Sequence, residues 1–136
     1  MDTDAVVAAM RSPAGGSAAL LRAARAGRAT LLATAPLCIE YESVCSRSEH
    51  VEAAGFGRCD LAVFLDALMD LIEPVEAWFL WRPQLRDPGD ELVLEAAANG
   101  RAEAIVTFNR RDFLPGATRF GVEVVLPRDA LRRIAA

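Results

Sequence analysis

Asp87-Pro88-Gly89-Asp90-Glu91-Leu92-Val93-Leu94-Glu95-Ala96-Ala97-Ala98-Asn99-Gly100, followed at once by Arg101-Ala102-Glu103-Ala104-Ile105-Val106-Thr107-Phe108-Asn109-Arg110-Arg111-Asp112-Phe113-Leu114, decides the fold. Asp87 is placed to cap a helix, Pro88 occupies its first position where no amide is needed, and Asn99-Gly100 supplies the stop. Ala104 to Thr107 is then a short apolar run of the kind buried in a parallel sheet, and Asn109 to Leu114 reads as a polar turn. Helix, buried strand and turn in one span predict an α/β unit. In such a sheet ligands bind beyond the carboxyl ends of the strands.

The same alternation extends in both directions. Upstream, Ala29 to Ala33 is a buried strand, and Thr34-Ala35-Pro36 opens a helix that carries Glu40 and runs to about Cys45. Asp60 to Ile72 places Leu61, Phe64, Leu65, Leu68, Met69 and Ile72 on one helical face, which predicts a core-facing helix, with Pro74 to Leu80 as the next strand. Ser17 is expected to cap a helix reaching about Arg25, after a loop at Ser12 to Gly16. Downstream, Val122 to Leu126 is a strand and Arg128 to Ile134 a terminal helix. Strands alternating with helices predict an α/β sandwich with a mostly parallel sheet.

The composition sets limits. The chain has 136 residues, 53% of them hydrophobic and 25% charged, with mean hydropathy +0.21; residues 1–136 are therefore expected to form one domain with its own core and little disorder. No apolar stretch approaches the roughly 20 residues of a membrane span, and nothing near Met1 resembles a signal peptide, so a cytoplasmic protein is expected. Cys38, Cys45 and Cys59 form no CxxC pair and His50 is the single histidine, which excludes a disulfide framework and a zinc knuckle. The thiols are expected to be buried or idle, and His50 to lie at the surface. A net charge of -4 argues against a sequence-blind polyanion binder. All 15 basic residues are arginine, so chemistry that needs a lysine is excluded.

Acidic residues mark the places where strands should end and helices begin. Asp2 and Asp4 lie near the start, Glu40 in the Thr34 helix, Asp87 and Asp90 at the head of the long helix, and Asn109 and Asp112 after the strand ending at Thr107. Carboxylates converging in one cleft repel one another unless a cation lies between them, and an all-oxygen donor set suits Mg²⁺ or Mn²⁺ better than zinc.

On these residues the chain resembles the PIN-domain nucleases, the fold of many toxins in bacterial type II toxin-antitoxin pairs. The resemblance rests on Asp2-Thr3-Asp4, on Thr34 to Glu40 with Ile39-Glu40-Tyr41-Glu42, on Asp87-Pro88-Gly89-Asp90 with Leu92, Leu94, Ala96 and Ala97, and on Ile105 to Phe113. It covers nearly the whole chain. It implies a three-layer α/β/α sandwich and a ribonuclease dependent on Mg²⁺ or Mn²⁺, with Asp2, Glu40, Asp90 and Asp112 as metal ligands and catalytic residues. Asp4, Asp87, Thr107 and Asn109 would support them. Arg110 and Arg111, with Arg82 and Arg86 also well placed in sequence near the cleft, would hold flanking phosphates. A cognate antitoxin and a homodimer are further implications. Family members carry a hydrophobic strand before the first aspartate, in the middle of the sheet, whereas here only Met1 precedes Asp2. The first strand is therefore read as truncated: either the true start lies upstream or the sheet lacks a central strand. Asp4 stands where the family has asparagine, which adds a negative charge beside Asp2.

Plainer readings compete. Asp87 and Asp90 are natural cap and first-turn residues, Asp112 suits an ordinary turn, Glu40 suits a solvated helix, and Trp78 and Trp81 suit a core or a dimer contact. At the level of function, the alternatives are a catalytically degenerate PIN domain acting as an interaction module and, on Asp2-Thr3-Asp4-Ala5-Val6, a haloacid-dehalogenase-type phosphatase. The phosphatase family generally needs a downstream lysine, which this chain lacks.

Overall fold

The computed structural model describes residues 1–78 and 83–135. Its elements are α1 (Thr3–Arg11), α2 (Gly16–Arg25), β1 (Leu31–Ala33), α3 (Ala35–Cys45), α4 (Ser48–Ala53), α5 (Asp60–Leu71), β2 (Ile72–Pro74), α6 (Pro88–Asn99), β3 (Ala104–Val106), α7 (Arg110–Arg119), β4 (Glu123–Val125) and α8 (Pro127–Ala135). The fold is α/β and rich in helix, with short parallel strands.

Three helices start on caps that also matter for the site. Asp2 accepts a hydrogen bond from the Thr3 amide at 2.7 Å and begins α1. The Thr34 hydroxyl accepts from the Leu37 amide at 3.3 Å and begins α3. Asp87 accepts from the amides of Gly89 and Asp90, at 2.7 and 3.1 Å, and begins α6. Each bond satisfies an amide that the first helical turn leaves without a partner. At the far end of α6, Gly100 is required by close packing: a methyl group there would come within 2.9 Å of the Ala96 carbonyl and of Val75.

β1 pairs in parallel with β2, Leu31 opposite Ile72, and β3 pairs in parallel with β4, Ala104 opposite Glu123. Among the described residues these are two separate two-stranded sheets. A cavity of about 530 Å³ between them is lined by Met1, Leu31, Leu32, Ala104 and Val106 among others. The Asp2 amide donates to the Val106 carbonyl at 2.8 Å, so the start of the chain lies along β3, beside this cavity. The core gathers Val6 and Met10 of α1, Leu37 and Tyr41 of α3, Leu68 of α5, Leu94 of α6, Ile105 of β3 and Phe113 of α7. No helix among the described residues is long and apolar enough to cross a membrane.

Several expectations are corrected. Asn109 to Leu114 is not a turn: Asn109 precedes α7, a helix that accommodates Pro115 within it. Proline removes one helical donor, but Phe113, Gly116 and Ala117 are buried on α7, and packing of that face outweighs the local cost. Ser17 does not cap α2. Gly15 precedes that helix without a side-chain bond, and the Ser17 hydroxyl is buried without a partner. The strand placed at Pro74 to Leu80 instead ends at Pro74, and its last two positions, 79 and 80, lie outside the described residues. Sequence periodicity did not anticipate α4. Trp78 is 77% exposed and belongs to no core, while Trp81 lies outside the described residues. Among the described residues the strands are parallel, as expected, but form two pairs and not one sheet. Cys45 is buried, Cys38 is half-buried and Cys59 is exposed.

Candidate active site

Asp2 and Thr107 form the floor of the site. Both are buried, and the Thr107 hydroxyl donates to Asp2 Oδ2 at 2.7 Å while accepting from the Asn109 amide at 3.0 Å. From the other side, the buried Tyr41 hydroxyl donates to the Met1 carbonyl and fixes the backbone just before Asp2. Burial, with the charge of Asp2 beside it, pushes the Tyr41 phenol well above its ordinary range.

Asp4 lies one helical step above. Its Oδ2 accepts from the Phe108 amide at 3.1 Å and from the Asn109 side-chain amide at 3.0 Å. The residue that departs from the family pattern is thus tied to the segment after β3. Burial, followed by the charge of Asp2, pushes the Asp4 carboxyl up to about 6 from its ordinary 3.8.

Asp90, in the first turn of α6, feels four other aspartates. Its carboxyl is pushed up to about 7, first by burial and then by the charges of Asp2, Asp87, Asp112 and Asp4. Glu40 reaches the same helix end from α3: a methyl group at Gly89 would lie 3.6 Å from Glu40 Oε1 and 3.0 Å from Asp87 Oδ1. Gly89 leaves room for the two carboxylates. A depression of about 750 Å³ is lined by Asp87, Asp90, Asn109, Asp112, Arg86 and Arg111 among others. Arg110 is exposed and does not line it, and Arg82 lies outside the described residues.

The fold therefore brings Asp2, Asp4, Asp87 and Asp112 within electrostatic range of Asp90 and turns Glu40 toward the same helix end. No three histidine, cysteine or acidic side chains among the described residues are gathered tightly enough to ligate one ion directly. Oxygen-only donors and unrelieved negative charge still suit Mg²⁺ or Mn²⁺, because Mg²⁺ keeps several waters and needs only one or two direct carboxylates.

Sequence reasoning passed over three contributors. Tyr41 entered only as part of the run around Glu40, with no role of its own. Glu91 was not singled out, yet it is buried and accepts from the amides of Gln84 and Leu85, at 2.5 and 2.6 Å, pinning the segment before Asp87. His50 is partly buried, its side chain 17% exposed, beside Arg11. A charged residue one turn inside a cap is a weak signal for Glu91; nothing local pointed to the other two.

The family model described as PIN domain matches residues 1–111. None of the curated proteins and none of the solved structures compared with the chain matches it.

Proposed function

Because the chain belongs to the PIN-domain family, whose members are generally nucleases, we propose that it is a Mg²⁺- or Mn²⁺-dependent endoribonuclease and the toxin of a toxin-antitoxin pair. The observation that carries this reading is the convergence on Asp90 of charge from Asp2, Asp87, Asp112 and Asp4. Structure alone gains nothing from such repulsion, whereas a divalent cation relieves it.

Asp2, Glu40, Asp90 and Asp112 are the residues that would hold the ion, one or two of them directly and the rest through its waters. When bound, it would polarise the scissile phosphate and lower the pKa of a water toward neutrality. The protein's own part is positional. Thr107 holds Asp2, Asn109 and the Phe108 amide hold Asp4, and Asp87 keeps the first turn of α6 in place below Asp90. Arg111, with Arg110 beside it, takes a flanking phosphate by paired hydrogen bonds.

The same reading extends to assembly. Residues 1–136 act as one domain, layered as an α/β/α sandwich, in the cytoplasm. Ile39, 67% exposed, and Trp78 offer apolar surface that a second copy or the antitoxin would cover. The division of the strands into two pairs favours a second reading, an interaction module without catalysis.

Incubating the chain with structured RNA and Mn²⁺, and in parallel with a chelator, tests the proposal. Cleavage that stops with chelator and in Asp90→Asn is expected. RNA left intact, with no thermal shift on adding Mn²⁺, would leave the interaction module as the better reading.

A further inference from the structure

A second depression, of about 480 Å³, adjoins the acidic cluster, and its lining includes Asp4, Val7, Ala8, Arg11, Val44 and His50. Residues 4, 8 and 11 share one helical face, so α1 presents a strip about 10 Å long from the acidic end to its last turn. The floor is apolar: Val7 is 7% exposed and Val44 9%.

The far end carries Arg11 and His50. Arg11 Nη1 stands 3.5 Å from His50 Nδ1, and His50 Nε2 stands 4.0 Å from Glu49 Oε1. An imidazole with its proton on Nε2 faces Glu49 with a donor and Arg11 with an acceptor. Among the described residues no carboxylate forms an ion pair with Arg11, so most of its guanidinium donors remain available. The larger depression, which meets the cluster at Asp87, Asp90 and Asp112, carries Arg86 and Arg111. The cluster is thus flanked by two hollows, each with arginine in its lining.

We propose that the hollow along α1 seats the RNA strand on one side of the bond that is cut. Arg11 takes a phosphate through two parallel hydrogen bonds, Val7, Ala8 and Val44 receive the ribose or base, and Asp4 marks where the strand passes into the acidic cluster. This rests on the ribonuclease reading. A strand with one negative charge per nucleotide is repelled by five carboxylates, and a chain of net charge -4 must hold it at discrete cationic points. Arg11 is such a point; His50 is a positioning residue that acts through it.

The test uses a short fluorescent single-stranded RNA, with binding read by anisotropy in chelator and cleavage read in Mn²⁺. Arg11 is exposed, so Arg11→Gln is expected to fold normally. It should weaken binding roughly tenfold, flatten the dependence of log Kd on log salt by about one unit, and raise KM with kcat nearly unchanged. Arg11→Lys, which keeps the charge and loses the fork, should keep the salt slope while still binding more weakly. If the unsubstituted chain binds and cuts RNA but Arg11→Gln leaves Kd, salt slope and KM unchanged, the inference about this hollow is wrong and the ribonuclease reading stands. If the unsubstituted chain neither binds nor cuts RNA, both fall.

Discussion

Thr107 and Asp2, 105 positions apart in the chain, are joined by a buried hydrogen bond of 2.7 Å. The same hydroxyl accepts from the Asn109 amide and lies 3.3 Å from Asp4 Oδ2. One small side chain therefore ties the end of β3 to the cap of α1 and to the acid above it. Thr107→Val keeps the shape and removes the bond, leaving a buried carboxylate oxygen without its donor. A loss of about 1 to 3 kcal/mol in urea unfolding is expected, with RNA cleavage reduced roughly 10- to 100-fold, as for outer partners of metal sites. Unchanged stability would show that Asp2 is held by other groups.

Asp90→Asn removes the charge on which four other carboxylates converge. The metal-free variant should melt at a higher temperature than the unsubstituted chain, and Mn²⁺ should no longer raise it. Cleavage should fall by more than the roughly 100-fold upper figure for outer partners. Calorimetry with and without Mn²⁺ checks the first pair of outcomes. A metal-free variant that melts lower would mean that Asp90 stabilises the fold as a helix-end acid.

The pH dependence follows from the direction of the two shifts. Asp90 and Asp4 titrate near 7 and 6 in the folded chain against an ordinary 3.8, so from about pH 4 to 7 the folded state binds more protons than the unfolded one. Their contribution is fully present below about pH 4 and is lost as pH rises through about 7. Relative to Asp90→Asn, the unsubstituted chain should lose melting temperature between about pH 5 and 8, and millimolar Mn²⁺ should close the gap. A gap that stays constant across that range would mean Asp90 titrates normally.

Glu91 is 5% exposed and holds the amides of Gln84 and Leu85. Glu91→Ala strands both donors and should cost about 3 kcal/mol, since hydrogen bonds to charged groups are worth roughly 1.5 to 3 each. Amide hydrogen exchange at residues 84 and 85 should rise sharply. Protection equal to that of the unsubstituted chain would show that other groups hold this segment.

The legible parts of the protein are those set by nearest neighbours. Thr34 and Asp87 cap their helices because an oxygen at that position meets free amides a few atoms away, and the α5 face and Ile105 follow from apolar spacing. The acids that the fold gathers were also visible as an ordered set. Misread elements share one cause. The polar run Asn109 to Leu114 suggested a turn, but burial of Phe113 and Ala117 makes a helix; Ser17 looked like a cap, yet its side chain is drawn into the core.

By itself the sequence determined the α/β class, the caps at Thr34 and Asp87, the oxygen-only donor set and the exclusion of lysine, thiol-zinc and disulfide chemistry, because each depends on residue type and short spacing. Only the tertiary structure decided that Asp4 bonds the segment after β3, that Glu91 faces inward, that the strands pair as two separate couples and that Arg11 meets His50. Those are contacts between residues distant in the chain, and their free energies come from burial and charge in a shared space that no local pattern encodes.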